Sequence, residues 1–203
     1  LFNLFNDPFI IRQPAPLRWL IAKIISSRRT PTAQKIYAEI GGRSPILEQT
    51  KAQTDALQDV LNKSGEDNFR VFVSMRYWHP FIEDVLNDII VFAPTRIVLL
   101  PLYPQFSTST TESFLSVWNK IEAKPDVPTQ AICCYPTEAG FISSVSEGLR
   151  TELKKAREIG EPIVLFSAHG LPKKFVEEGD PYQKQIEASV TAVLSQPEFS
   201  GLD

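Results

Sequence analysis

The sequence is poor in the residues that crosslink secreted proteins or anchor proteins in membranes. Its 203 residues include only two cysteines, Cys133 and Cys134, which are adjacent; a disulfide between them is sterically awkward, so a secreted disulfide framework is excluded. No apolar run approaches the roughly 20 residues of a membrane-spanning helix, and the first residues lack a signal-peptide pattern. These absences predict a cytoplasmic protein in a reducing environment that does not cross a membrane.

The sequence also lacks the motif of a nucleotide site and the composition of a disordered chain. It has no glycine-rich loop with a Walker-type lysine, which argues against a nucleotide site. Hydrophobic residues make up 43% and charged residues 22% of the chain, as in a globular protein. Net charge is only -3, yet segment 1–43 carries seven basic residues against two acidic ones. These charges either solvate a helix surface or face an anionic partner.

Apolar segments rich in Val, Ile and Leu alternate with amphipathic segments along the chain. Four nearly continuous apolar runs predict strands that helices cover on both faces: 69–74, 96–102, 129–134 and 162–167. Helical periodicity occurs over 16–29, 47–61, 81–89, 114–121, 142–153 and 182–194. This alternation predicts an α/β fold with a doubly wound parallel sheet, in which ligands bind at the carboxyl ends of the strands.

A histidine comes directly after the last predicted strand. His169 follows the run Val-Leu-Phe-Ser-Ala and precedes Gly-Leu-Pro, which turns the chain. Imidazole can bind iron or accept a proton, and the end of a strand is where this fold class places its ligands. A metal or proton-transfer site is therefore one interpretation of His169, and a structural histidine at a turn is the other.

Two other predicted strands lead into turns with distinctive side chains. After strand 96–102, Ser109 and Glu112 have the spacing of a capping box and predict the start of a helix. After strand 69–74, the segment 75–80 reads Met-Arg-Tyr-Trp-His-Pro. Aromatic faces beside an arginine suit a flat, anionic ligand.

Four motifs, in order along nearly the whole chain, resemble those of ferrochelatases. They are Gly-Gly-x-Ser-Pro-Ile at 41–46, Met-Arg-Tyr-x-His-Pro at 75–80, Leu-Tyr-Pro-Gln-Phe-Ser-x-Ser-Thr at 102–110 and Ser-Ala-His-Gly-Leu-Pro at 167–172, with Gly-Asp-Pro-Tyr at 179–182. One such motif would be weak evidence, whereas four in sequence are specific. Their form resembles the protoporphyrin-using branch more than the coproporphyrin-using one.

The resemblance implies a fold and a reaction. The fold consists of two similar, doubly wound, Rossmann-like domains with a porphyrin in the cleft between them. Residues 1–135 would form the first half-domain without its opening strand, and 136–203 the start of an incomplete second one. The reaction is insertion of ferrous iron into protoporphyrin IX to form protohaem, the last step of haem biosynthesis. A cobalt or sirohydrochlorin chelatase and a non-catalytic tetrapyrrole-binding module are the alternatives.

The resemblance also implies roles for individual residues. His169 would face the centre of the macrocycle as the catalytic residue and the metal-binding residue, either accepting a proton or ligating iron transiently. Its acidic partner is expected beyond this sequence. The residues that match porphyrin contacts of the family, or its cleft wall, are Arg29, Tyr37, Ser44, Arg76, Tyr77 and Tyr103. Each also has an ordinary alternative role in packing, a turn or a helix end.

Expectations for cofactors and partners follow from the same resemblance. Ferrous iron and protoporphyrin IX are substrates, and neither a tightly bound cofactor nor a nucleic-acid partner is expected. Some relatives hold an iron-sulfur cluster with a cysteine in the segment that corresponds to 105–111; that segment contains none here, so no cluster is expected. The apolar face of the helix predicted over 16–29 is expected to make peripheral membrane contact, or to pack in a core.

Overall fold

The computed structural model describes residues 1–63, 65 and 68–199. This part of the chain folds into eight α-helices and two short strands, in the order α1 Phe2–Phe5, α2 Ala15–Ala38, α3 Ile46–Lys63, α4 Ile82–Phe92, β1 Ile97–Leu99, α5 Ser113–Lys120, β2 Thr129–Ala131, α6 Ala139–Arg157, α7 Lys173–Glu177 and α8 Tyr182–Leu194. A π-helical turn, Thr108–Glu112, leads directly into α5, and a 3₁₀ turn, Pro197–Phe199, follows α8.

β1 and β2 are neighbours in a two-stranded parallel sheet. The Ile97 amide donates to the Pro128 carbonyl at 2.9 Å, and the Ile132 amide donates to the Leu99 carbonyl at 2.9 Å. Both bonds advance in the same direction along the two strands, which is the parallel pattern. The π-helical turn and α5 form the crossover between the strands, so the predicted α/β class and its parallel sheet are confirmed.

Two of the four predicted strands, 69–74 and 162–167, form no strand ladder in the part of the chain that the structure describes. A strand needs a neighbour for its backbone hydrogen bonds, and side chains of α3 replace that neighbour beside 69–74. The Val71 amide donates to Gln58 Oε1 at 2.9 Å, and the Phe69 amide donates to Asn62 Oδ1 at 2.8 Å. The apolar pattern thus identified these segments but did not show whether each has a neighbouring strand.

Helical periodicity was a better guide, because a helix makes its hydrogen bonds within its own segment. All six predicted helices are confirmed as α2, α3, α4, α5, α6 and α8. The first extends further than its apolar pattern, since α2 continues through Pro31 to Ala38, with the Thr30 hydroxyl donating to the Ser26 carbonyl at 2.7 Å. The short helices α1 and α7 were not predicted, because four or five residues are too few to show a period.

The chain separates into two compact units. Unit 1 comprises residues 1–97 and 113–128, and unit 2 comprises 98–112 and 129–203, of which 200–203 lie outside the described residues. Unit 2 has a core in which Ile142 and Leu153 of α6 pack with Val193 of α8 and with Phe199. Val164, which precedes His169, packs against this core. The predicted division into half-domains at residue 135 stays a prediction.

Candidate functional site

A cavity of about 280 Å³ in unit 2 contains the segment that follows β1. Two predicted site residues, Tyr103 and His169, line the same cavity. The other lining residues are Pro104, Gln105, Ser107, Ser109, Thr110, Leu171 and Tyr182. Motifs distant in sequence therefore meet here. Another cavity of unit 2, of about 360 Å³, lies beside Arg150 and Lys154 of α6 and contains none of the predicted site residues.

Backbone and side-chain hydrogen bonds fix the segment that carries Tyr103. The Tyr135 amide, beyond β2, donates to the Pro104 carbonyl at 2.8 Å. Two bonds tie the same segment to α8: the Phe106 amide donates to Gln185 Oε1 at 2.7 Å, and Gln105 Nε2 donates to Ser189 Oγ at 2.9 Å. This side of the cavity is therefore held at several points within unit 2.

Ser107 directly precedes the π-helical turn at the edge of the cavity, and its contacts correct the capping prediction. Its hydroxyl accepts a hydrogen bond from the Ser109 amide at 3.2 Å, and its carbonyl accepts one from the Glu112 amide at 3.3 Å. The predicted box used Ser109 as the cap, which is wrong by two residues. Thr108 and Ser109 already belong to the turn, so the side chain that precedes it makes the capping contact.

Asp180 is a buried carboxylate that bonds to two parts of the cavity wall. Its Oδ2 accepts hydrogen bonds from Ser107 Oγ at 2.9 Å, from the Thr108 amide at 2.8 Å and from Thr108 Oγ1 at 2.8 Å. Its Oδ1 accepts from the Tyr182 amide at 3.0 Å. Burial by itself would raise the pKa of Asp180, but these hydrogen bonds to the charged form outweigh burial and hold the pKa below its usual value.

His169 presents an accessible imidazole at this cavity. Its side chain is exposed, and it makes no hydrogen bond or ion pair with any described residue. Leu171 and Tyr182, which follow in the same motif region, line the cavity with it. An imidazole in this position is available to accept a proton from a ligand or to bind a metal ion. Its predicted catalytic and metal-binding roles stay predictions.

Arg76 and Tyr77 are held by Asp7 within unit 1. Asp7 is 2% exposed, and its Oδ2 accepts hydrogen bonds from Arg76 Nη2 at 2.7 Å, Tyr77 Oη at 2.9 Å and Ser113 Oγ at 2.5 Å. Burial, with the charge of Asp7 adding to it, raises the pKa of Tyr77 well above its usual range. Both polar groups are thus used in structural contacts, and their porphyrin-binding roles stay predictions.

The remaining predicted contacts lie on the surface of unit 1. Arg29 and Tyr37 are exposed on α2, and Ser44 is exposed in the turn that follows it. The Ser44 hydroxyl accepts a weak hydrogen bond from the Ile46 amide at 3.4 Å, as expected for a turn residue. Porphyrin contacts by these three side chains stay predictions.

The sequence patterns did not predict the buried carboxylates of Asp7 and Asp180. The Gly-Asp-Pro-Tyr motif was a signal for Asp180, because it carries an acid beside the cavity residue Tyr182. Asp7 gave less warning, since its partners Arg76 and Ser113 come from segments far along the chain. Its only signal was being one of two acids in the basic segment 1–43.

The described residues contain neither a cluster of metal-binding side chains nor a membrane-spanning helix. Within 1–63, 65 and 68–199, no group of three or more His, Cys, Asp or Glu side chains is arranged to hold a metal ion. In the same part of the chain, no helix has both the length and the apolar character needed to cross a membrane.

Comparison with known proteins gives one consistent family. The family model described as Ferrochelatase matches residues 1–202. A ferrochelatase of Pelagibacter ubique is 44% identical over 206 residues, which cover 100% of this chain and 59% of that protein. A ferrochelatase of a Wolbachia strain from Drosophila simulans is 45% identical over 205 residues, with 100% and 65% covered.

A third relative, from Hyphomonas neptunium, is also named ferrochelatase. It is 47% identical over 191 residues, which cover 93% of this chain and 53% of that protein. The chain thus spans between 53% and 65% of the length of these three relatives. The family match extends over the four motifs and over both units, and the chain belongs to the ferrochelatase family.

Proposed function

We propose that the protein carrying this chain inserts ferrous iron into protoporphyrin IX to form protohaem, the last step of haem biosynthesis. The observation that carries the proposal is the exposed imidazole of His169 in a cavity built from ferrochelatase motifs. Membership of the family supports the reaction, and the alternatives, a different chelatase or a non-catalytic binding module, are separated by the experiment below.

The chemistry requires that two protons leave as one dication enters. A free porphyrin is nearly planar and carries two inner N–H groups. Loss of both protons to solvent or a base leaves the ring a dianion, and the entering dication balances that charge, so the complex keeps the charge of the free porphyrin. His169 serves this exchange either as the proton acceptor or as a transient ligand of the arriving iron. Bending of the ring exposes its nitrogen lone pairs, and binding energy from the ring faces and propionates sustains that distortion.

The size of the cavity limits what it can hold. Its volume of about 280 Å³ is slightly below the roughly 300–1,000 Å³ of typical ligand pockets. We therefore assign to it only part of the macrocycle, the part that lies beside His169 and Tyr103. The proposal keeps Arg29, Tyr37, Ser44, Arg76 and Tyr77 as further porphyrin contacts. It includes no resident cofactor, no iron-sulfur cluster and no nucleic-acid partner.

Replacement of His169 tests this function in the full-length protein. We expect His169→Ala to lower the rate of zinc or ferrous iron insertion into protoporphyrin by about 10²-fold or more, as for loss of a proton-transfer group. The other histidine of the chain supplies a matched control: His79 is exposed and pairs with Asp84, so His79→Ala is expected to keep the wild-type rate.

Each result has a distinct meaning. Insertion by His169→Ala at the wild-type rate would refute the assignment of His169. Tight porphyrin binding without any insertion by the unmutated full-length protein would refute the chelatase activity and favour a binding module. Insertion of cobalt into a reduced tetrapyrrole in preference to iron into protoporphyrin would identify the other type of chelatase.

Peripheral membrane contact through residues 16–29 is a further part of the proposal. Leu17, Trp19, Leu20 and Ile24 of α2 are 46%, 51%, 49% and 44% exposed. The small residues Ala22 and Ser26 form the buried face of the helix instead. Exposed aliphatic side chains with a tryptophan suit the boundary between water and lipid. This support is independent of the insertion reaction.

A further inference from the structure

We propose that Asp180 is a positioning residue of the insertion reaction, because its one carboxylate fixes the Ser107 wall of the cavity relative to the Tyr182 wall. This inference rests on the proposed function, since it concerns the same cavity. Asp180 itself does not line the cavity, so it acts through the residues that do. The positioning role follows from the contacts of Asp180.

The contacts connect two separate segments of unit 2. Ser107 and Thr108, at the start of the π-helical turn, donate three hydrogen bonds to Oδ2. The amide of Tyr182, the first residue of α8, donates to Oδ1. Ser107 and Tyr182 both line the cavity. Asp180 therefore helps to set the spacing between these two lining residues, together with the bonds of Gln105 and Phe106 to α8.

The ionised form of Asp180 matches the hydrogen-bond donors that surround it. All four partner groups are donors, so both carboxylate oxygens must accept, which an ionised carboxylate does best. The group is 7% exposed, so water cannot replace a lost partner without rearrangement. An asparagine would keep the shape but direct an NH₂ group against one set of donors. We expect Asp180→Asn to separate the Ser107 segment from the Tyr182 segment rather than simply to reduce packing.

The hydroxyl of Ser107 passes this constraint to the cavity surface. Ser107 is 1% exposed, and its Oγ lies 2.9 Å from Ser109 Oγ, whose residue also lines the cavity. The wall that begins at Tyr103 thus ends in a turn fixed by Asp180. Misplacement of a reacting group by about 1 Å can reduce a rate by about 100-fold. By fixing this wall, the Asp180 carboxylate maintains the position of the wall relative to His169.

Kinetics of the full-length protein test the positioning role. We expect Asp180→Asn to lower kcat for metal insertion into protoporphyrin by about 10- to 100-fold, with a KM change below about threefold. Val193→Ala is the matched control: Val193 is 2% exposed in the core of unit 2, also on α8, and does not line the cavity. It should lower thermal stability while leaving kcat near the wild-type value.

A second measurement keeps the test informative if insertion is slow in every variant. Hydrogen exchange should accelerate in Asp180→Asn at whichever of the Thr108 and Tyr182 amides faces the NH₂ group, whereas amides in the middle of α6 should be unaffected. Thr108→Val, which removes one donor and keeps the carboxylate, should shift kcat in the same direction by a smaller factor, and it serves where Asp180→Asn fails to fold.

The outcomes separate the inference from the proposed function. Absence of insertion by the wild-type protein overturns the proposed function and the positioning role with it. An active wild type, with Asp180→Asn and Val193→Ala equal in kcat, overturns the positioning role alone. Unchanged exchange at Thr108 and Tyr182 in Asp180→Asn shows that the carboxylate does not hold the two segments. A fall in kcat with faster exchange at one or both amides supports the inference.

Discussion

Two buried carboxylates, one in each unit, organise the polar groups around them by different chemistry. Asp180 is surrounded by neutral donors only, whereas Asp7 faces the guanidinium of Arg76 together with the hydroxyls of Tyr77 and Ser113. Neutral donors stabilise the charge of a buried carboxylate without adding a second charge. In an ion pair with little exposure, loss of one charge leaves the other without its counter-ion. The two sites therefore respond differently to removal of charge.

The Asp7 ion pair gives a prediction for stability. Asp7→Asn would leave the Arg76 guanidinium, whose side chain is 21% exposed, without its counter-ion. We expect the free energy of unfolding to fall by about 3–5 kcal/mol, as when one partner of a buried pair is removed. Urea unfolding of the full-length protein measures this change. Asp88→Asn, on the exposed face of α4, should change stability by less than about 0.5 kcal/mol. Equal values for the two variants would contradict the prediction.

At the scale of single residues, sequence motifs indicated what lies near the cavity but not what holds it. His169 and Tyr103 were predicted because each follows an apolar run in a recognisable motif, and both line the cavity. The roles of Asp7 and Asp180 depend on partners that folding brings together from distant segments. Apart from the Gly-Asp-Pro-Tyr motif around Asp180, no local pattern indicates which of the 24 acidic residues will meet buried donors.

Among the elements, helices were predicted well and strands only in part. Each helix satisfies its backbone within a continuous segment, so periodicity alone identified α3 and α6. A strand needs a partner, and 162–167 has the apolar composition but no ladder among the described residues. Its side chains divide instead: Val164 packs on the core of unit 2, whereas Leu165 is 87% exposed.

The exposed face of α2 leads to a prediction for the element as a whole. Replacement of Leu17, Leu20 and Ile24 together by serine should weaken binding of the full-length protein to phosphatidylglycerol vesicles by about tenfold or more, because apolar area no longer enters the lipid. Co-sedimentation measures the binding. Val60→Ser on α3, where the valine is 65% exposed, is the control for a general loss of surface hydrophobicity. If the triple variant and the control bind alike, α2 is not the contact.

At the scale of the whole molecule, the class of fold was predictable and the division into units was not. Alternating apolar and amphipathic segments indicated an α/β protein with a parallel sheet, which the β1–α5–β2 unit confirms. The chain passes from one unit to the other after residues 97, 112 and 128, because the turn before α5 belongs to unit 2 whereas α5 belongs to unit 1. Such an exchange of segments depends on tertiary packing and leaves no compositional boundary.

The dependence of stability on pH follows from the state of the buried carboxylate in unit 2. The pKa of Asp180 is lower in the folded protein than the roughly 3.9 of an unfolded aspartate, so the folded state binds this proton less readily. Its contribution to stability is complete above the unfolded pKa and is lost as the pH falls through the folded pKa. Urea midpoints measured at pH 7, 5, 4 and 3 should therefore decrease towards acid. Asp180→Asn cannot titrate at this position and should start lower at pH 7 but decrease less steeply below pH 4; two parallel curves would show that the carboxylate is not stabilised in its charged form.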